Sequence, residues 1–279
     1  MNVMSLDVQT DGDRRGEWRL HVIGDLHYDG IATDQQRIKD HIAFVAADPC
    51  SIYIVVGDLI DGSTPGHKFF DTGTIRPEVL MQMSNYIGFM TDELVELFAP
   101  LEGKPGIFIQ GNHDIRKGID YSGIVKTVAG RVGARYGGDE AMVRIHAPRP
   151  DGTHTQVWKL YAHHGNGGGS FPGSKVNRFQ HTVGVLAEAD IYVRGHVHDS
   201  DARIIHKISV SSAGKPCLTT SPRAFVTAPG YTPDRTDGVD GYAGQKGLPP
   251  LDHGVIFLHC QNQMQGYTPK KIYREEWRG

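Results

Sequence analysis

The chain has 279 residues, 39% of them hydrophobic and 22% charged, with a formal net charge of -3. This composition fits one large or two small globular domains with a proper core, and it excludes disordered, collagen-like and small disulfide-scaffold chains. The near-neutral charge also argues against a broad basic face for duplex nucleic acid, although a local basic groove is compatible with it.

The 35 glycines and 15 histidines are in excess, and both residue types favour loops and metal sites. Their positions therefore guide the reading. Cys50, Cys217 and Cys260 are isolated and odd in number, which disfavours disulfides or a thiolate zinc site and suits a reducing interior. The first 18 residues carry Asp7, Asp11 and Asp13 ahead of any apolar stretch, unlike a signal peptide. No apolar run approaches the ~18 residues of a membrane span, so a cytoplasmic protein without a membrane anchor is expected.

In chain order, Arg19–Gly24 reads as a strand running into Asp25-Leu26-His27. Thr33 is expected to cap a helix over Asp34–Ala47, whose Ile38, Ile42 and Val45 recur at helical spacing. Ser51–Val56 is a β-branched run of the buried-strand type, ending at Gly57-Asp58. Pro77 suits the first turn of a long helix reaching about Ala99, and Gly106–Ile109 is a strand ending at Gly111-Asn112-His113-Asp114. A helix is expected near Ser122–Ala129. Met142–His146 and Val157–Ala162 then flank a Pro-Asp-Gly turn and read as a hairpin ending at His163-His164. After a Gly-rich loop at 165–173 and a helix near Val176–Ala187, the strand Ile191–Arg194 ends at Gly195-His196-Val197-His198. Further β-runs lie near Arg203–Val210 and Val255–His259, separated by a long loop at 223–250 that is expected to shape substrate choice. With no repeat and no clear linker, one α/β domain spanning 1–279 is expected, helices outside and sheet inside.

Asp25, His27, Asp58, Asn112, His113, His163, His196 and His198 all fall just past strand ends, where α/β sheets build their sites. Their mixed carboxylate, amide and imidazole donors suit Mn, Fe, Zn, Co or Ni better than a structural zinc or a calcium. Any one DxH or HxH pair is more often a surface turn or a core histidine. Five such pieces in order are hard to explain that way.

Taken together, Asp25-x-His27, Gly57-Asp58-x-x-Asp61, Gly111-Asn112-His113-Asp114, a histidine after a strand, and Gly195-His196-x-His198 resemble the calcineurin-like metallophosphoesterases. The stretch from His163 through Lys175, Val176 and Asn177 to His198 also resembles phosphoesterases of phages and prophages. The family resemblance implies a four-layer α-β-β-α sandwich of two mixed sheets with two divalent metals at one end, Mn before Fe, Zn, Ni or Co. It implies that Asp25, His27 and His198 hold one metal and Asn112, His163 and His196 the other, with Asp58 bridging. A hydroxide between the metals would then attack phosphorus. His113 resembles the family histidine that stabilises the developing charge or protonates the leaving oxygen, with Asp61 orienting its imidazole.

The alternation of Val157, Leu160 and Ala162 leaves open which of the adjacent imidazoles faces the cleft. His163 is taken as the ligand, because the family ligand usually stands directly at the strand end, and His164 is then placed near substrate. Arg116, Lys175 and Arg178 are further substrate-contact candidates. Residues 168–175 only approximate a P-loop, since the lysine does not follow the second glycine directly. Asp234, Asp237 and Asp240 suggest calcium, but Gln245 stands in the place of the EF-hand glutamate. His41, His154, His206 and His259 lack ligand spacing and read as structural or exposed.

The expected activity is phosphodiester hydrolysis on nucleic acid, a nucleotide or a small diester. Phosphomonoester or phosphoprotein hydrolysis is the alternative, and a non-catalytic metal-binding scaffold is the reading from a different class.

Overall fold

The computed structural model describes residues 1–12, 16–67, 70–116, 119–149, 152, 154–165, 179–180, 184, 187–210, 215–233, 254–262 and 270–277. From the N-terminus these form β1 (Asn2–Asp7), β2 (Glu17–Ile23), α1 (Gln35–Ala47), β3 (Ser51–Val55), α2 (Pro77–Met81), α3 (Tyr86–Phe98) and β4 (Gly106–Ile109). A small ribbon follows, β5 (Ile115–Arg116) and β6 (Ile119–Asp120), and then α4 (Ser122–Arg131) and β7 (Arg135–Gly138). The hairpin β8 (Glu140–Pro148) and β9 (Thr155–His163) precedes β10 (Ile191–Arg194), β11 (Asp201–Val210), β12 (Leu218–Thr227), β13 (Val255–Gln261) and β14 (Lys271–Trp277).

Two mixed six-stranded sheets result, ordered β1-β8-β9-β10-β12-β11 and β14-β13-β2-β3-β4-β7. Within the second, β2, β3, β4 and β7 run parallel; within the first, β9, β10 and β12 do. Strand alternation explains how the sheets stack. Trp18, Leu20 and Val22 of β2 join Ile52, Ile54 and Ile107 against Val143, Ile145, Trp158, Leu160 and Val193 of the facing sheet. Trp18 and Trp158 meet edge to face across this interface, with ring centroids 5.6 Å apart.

The opposite faces of the same strands present Ile23, Tyr53, Val55 and Phe108 to Ile38, Ile42, Met90, Leu94, Ile124 and Val128 of α1, α3 and α4. Strands buried on both faces must be apolar throughout, which is why β3 reads as an unbroken run. On the outer side of the first sheet, Tyr161, Tyr192 and Phe225 pack with Phe179 and Ala189. The helix expected near 176–187 falls largely outside the described residues. No helix among the described residues is long and apolar enough to cross a membrane.

Three expectations change. Asp34, not Thr33, caps α1, its carboxylate accepting the Arg37 N–H at 3.0 Å, whereas the Thr33 hydroxyl donates to the His27 carbonyl at 2.7 Å. The helix expected over 77–99 is broken at Gln82–Asn85 into α2 and α3, a break that starts α3 at the buried Tyr86. Residues 218–227 are a strand, so the segment read as a loop from Arg223 begins after Thr227. This strand was hidden because its first half is exposed and polar while only its second half is buried.

Candidate metal centre

The parallel strands β2, β3 and β4 of one sheet and β9 and β10 of the other end at the same edge of the sandwich. Their connecting turns are stitched together by backbone hydrogen bonds: Asp25 N–H to the Gly57 carbonyl (3.0 Å), His27 N–H to Asp58 (3.1 Å) and Gly195 N–H to His164 (2.9 Å). The Asp25 carboxylate bridges the two sheets by accepting the His196 N–H at 2.8 and 2.9 Å. A Cβ at residue 195 would lie 2.9 Å from an Asp25 oxygen, and one at 111 would lie 2.1 Å from an Asp58 oxygen. Only glycine permits these approaches.

Asp25, His27, Asp58, His196 and His198 all adopt the left-handed backbone, with φ between 44° and 74°. Each such residue costs roughly 1–3 kcal/mol, and strain of this kind persists where surrounding structure enforces it, commonly at functional sites. Here it turns each chain abruptly at a strand end, so that side chains two residues apart converge.

Three donor groups form among the described residues. Asp25, His27 and His198 lie with ligand atoms mutually within 4.8 Å, and so do Asp58, His164 and His196, and His27, Asp61 and His113. Asn112 completes the second group, its Oδ1 lying 2.7 Å from His196 Nδ1 and 3.0 Å from His164 Nε2. His164 Nε2 also lies 3.2 Å from an Asp58 oxygen. Within the third group, His113 Nδ1 lies 2.8 Å from Asp61 Oδ1 and 3.1 Å from the Asp61 carbonyl, and its backbone N–H donates to Asp58 Oδ1 at 2.8 Å.

The electrostatics are those of buried carboxylates that need cations. Burial, reinforced by the Asp58 charge, raises the Asp25 pKa to about 6 against the pull of His164 and His27. Burial also works to raise Asp58, but the hydrogen bond and charge of His164, with His27 and His113, hold it well below the usual range. Burial disfavours charge on His27 and His164, yet the neighbouring carboxylates overcome it and push both up to about 9. Burial and neighbouring imidazoles lower His196 to about 4 and His198 well below its ordinary value. A metal takes every histidine ligand in its neutral form, so binding here would also displace the protons that the carboxylates favour on His27 and His164.

Whether the residues fit a metal is decided by His27, whose Nε2 is buried with no hydrogen-bond partner among the described residues. A buried ring nitrogen left so inside a group of Asp and His donors is matched to an ion. His164 is prepared in the same sense. Its Nδ1 lies 2.6 Å from the Val56 carbonyl, which fixes the ring and presents Nε2 to the group, as supporting hydrogen bonds do for metal-binding histidines.

A profile of the calcineurin-like phosphoesterases matches residues 19–200, well over half of the chain. The protein belongs to the calcineurin-like phosphoesterase family. No curated protein matches the sequence. Among solved structures, Vps29 from Chaetomium thermophilum is similar at 11% identity and a TM-score of 0.37, covering 93% of this chain and 97% of that one. The nuclease MPE of Pseudomonas putida is similar at 11% identity and a TM-score of 0.33, covering 92% and 87%.

Most of the residues expected in this phosphoesterase centre come together, but His163 and His164 exchange places. The inward-facing residues of β9 are Trp158, Leu160 and Ala162, and the same parity carries His164 into the cluster. His163 shares the outward parity of Tyr161, and its Nδ1 accepts the Gly165 N–H at 2.8 Å. Lys175, Arg178 and the Arg116 side chain lie outside the described residues, as do Asp234, Asp237, Asp240 and residues 168–175.

Two buried carboxylates had no role assigned from sequence. Asp114 accepts N–H bonds from Asp58 (2.9 Å), Leu59 (3.2 Å) and Gly111 (2.7 Å), tying the β3 and β4 turns together. Burial and the Asp58 charge push its pKa up to about 7. Asp29 receives the N–H groups of Asp61 and Gly62. Asp114 could have been singled out as the last residue of the Gly-Asn-His-Asp motif; Asp29 carries no comparable mark.

Proposed function

We propose that this metal-dependent phosphoesterase works with a pair of divalent metals and hydrolyses phosphodiesters, on nucleic acid, a nucleotide or another small diester. The observation that carries the proposal is the convergence of two donor groups, Asp25–His27–His198 and Asp58–His164–His196, with the His113–Asp61 pair alongside. Asn112 belongs with the second group, and Asp58 is the carboxylate proposed to serve both. When bound, such metals supply Lewis acidity and a nucleophile available at neutral pH.

The protein's own residues account for the remaining work. The His113 N–H holds one Asp58 oxygen in place. Asp61 orients the His113 ring through Nδ1, so Nε2 is the nitrogen that would meet the leaving oxygen and deliver its proton. Hydrolysis of an alkyl ester expels an alkoxide, the leaving group that gains most from such a donor. The net charge of -3 favours short or small diesters over long duplex substrates.

The test is hydrolysis of a bis-aryl phosphate and of an aryl monophosphate by protein loaded with Mn2+. Metal-dependent turnover with the diester faster is expected. Faster monoester turnover would replace the diester reading, and two bound metals without turnover of either substrate would favour a scaffold.

A further inference from the structure

The turn carrying Asp61 is clamped from behind by Asp29, which lies two residues beyond His27 and is only 1% exposed. Asp29 Oδ1 accepts the Asp61 N–H at 2.5 Å, and Oδ2 accepts the Gly62 N–H at 3.1 Å and the Tyr86 hydroxyl at 2.7 Å. These two N–H groups belong to the peptides on either side of the Asp61 Cα. The carbonyl of the second peptide, that of Asp61, lies 3.1 Å from His113 Nδ1. One peptide is thus gripped by Asp29 on its N–H side and meets His113 on its C=O side.

The grip extends into the helical layer. Tyr86 begins α3, and its ring lies 5.7 Å from that of Tyr121, whose hydroxyl donates to the Gly62 carbonyl at 3.3 Å. Gly62 itself has a φ of 68°, and a Cβ there would come within 2.8 Å of the Tyr121 ring. The turn therefore has little room to settle elsewhere while these bonds hold.

We propose that Asp29, braced by Tyr86, is a positioning residue for the His113–Asp61 pair. It sets the direction of the Asp61 carboxylate and carbonyl, and through them the His113 ring. This rests on His113 being the proton donor to the leaving oxygen. A carboxylate is needed at 29 because three donors converge on it. An amide of the same shape keeps one acceptor oxygen and turns an NH2 toward donors, leaving at least one of them unpaired.

The experiment compares wild type with Asp29→Asn on two diesters, one releasing a nitrophenolate and one releasing an alkoxide. A nitrophenolate departs without a proton and an alkoxide does not. The variant is expected to lose about 10–100-fold in kcat on the alkoxide substrate, the usual size for a residue supporting a reacting group. Little change is expected on the nitrophenolate substrate, in KM or in bound metal. Asp29→Asn combined with His113→Ala should be no slower than His113→Ala alone.

Independently of turnover, 15N NMR of histidine-labelled protein should show His113 protonated at Nδ1 in wild type and losing that preference in Asp29→Asn. Equal losses on both substrates, or an unchanged His113 spectrum, would overturn the proposal. If wild type binds metal but hydrolyses nothing, the functional reading fails while the NMR result still decides the positioning role. Should Asp29→Asn not fold, Tyr86→Phe removes one of the three bonds and should show the same selectivity at smaller size; no selectivity there would also overturn it.

Discussion

Two groups of histidines, one past the strand ends and one between β2 and α1, behave in opposite ways. At the strand ends, His27 is surrounded by Asp25, Asp58 and Asp61 and His164 by Asp25 and Asp58, carboxylates that drive both toward the charged state. Behind the same sheet, under α1, His41 Nδ1 lies 2.6 Å from the Tyr231 hydroxyl and its Nε2 lies 3.4 Å from His21 Nδ1. His21 stacks on Phe257 at 4.8 Å, and Trp277 stacks on His41 at 5.9 Å. No carboxylate contributes there, and burial lowers His41 to about 3 and His21 well below its ordinary value. Burial therefore does not make a histidine a ligand. The ligand candidates are those with carboxylates around them and, as at His27 Nε2, a ring nitrogen that no group among the described residues satisfies.

The strongest way to break this contrast is to remove Asp58. Asp58→Ala should lower turnover to background and release at least one metal per chain, measured by elemental analysis after gel filtration. Full occupancy would show that Asp58 is not shared between the two groups. Close behind comes the adjacent pair at the end of β9: His164→Ala should lose one metal and His163→Ala should retain both. The reverse result would restore the assignment drawn from sequence.

His113→Ala should cost about 10²–10⁴-fold in turnover, the usual range for a proton donor, with metal content unchanged. Metal loss in that variant would move His113 into the ligand set.

The smallest effect belongs to the core pair. Because the folded pKa of His41 is about 3 against an ordinary 6.5, below pH 6.5 the unfolded chain binds a proton that the native chain refuses. Stability then falls with pH, by about 2 kcal/mol between pH 7 and pH 5 for this one group. His41→Phe should cost about 1–3 kcal/mol at pH 7, through the unpaired Tyr231 hydroxyl. Its deficit should shrink at pH 5, where wild type has lost stability that the variant has not. Urea unfolding at both pH values measures this, and a deficit that does not narrow would show that His41 does not drive the acid sensitivity. Metal content should be unaffected.

Some of this contrast could have been read earlier. Ile38, His41, Ile42 and Val45 follow one helical stripe, so the sequence already places His41 on the apolar side of α1. The parity of Trp158, Leu160, Ala162 and His164 is equally present in the sequence, but taking His163 as the ligand rests on its place directly at the strand end rather than on that parity. β1, β7 and β14 were missed because each is short or largely exposed, and their strand character comes from pairing rather than from an apolar run.

By itself, the sequence pattern determined the α/β class, the strands β2, β3, β4, β9 and β10, and the residues that end them, while the two-sheet plan was what the resemblance of its motifs to the family implied. Short, buried, β-branched runs closed by glycine and polar residues leave few other structures open. Only the tertiary structure decided which of two adjacent histidines enters the site, which carboxylates support it, and which buried histidines remain core. Those outcomes depend on strand parity at a turn, on left-handed backbone at five ligand candidates, and on contacts such as Asp29 with Asp61 and Asp25 with His196. Such contacts join residues 32 and 171 positions apart, a separation at which local pattern carries no information.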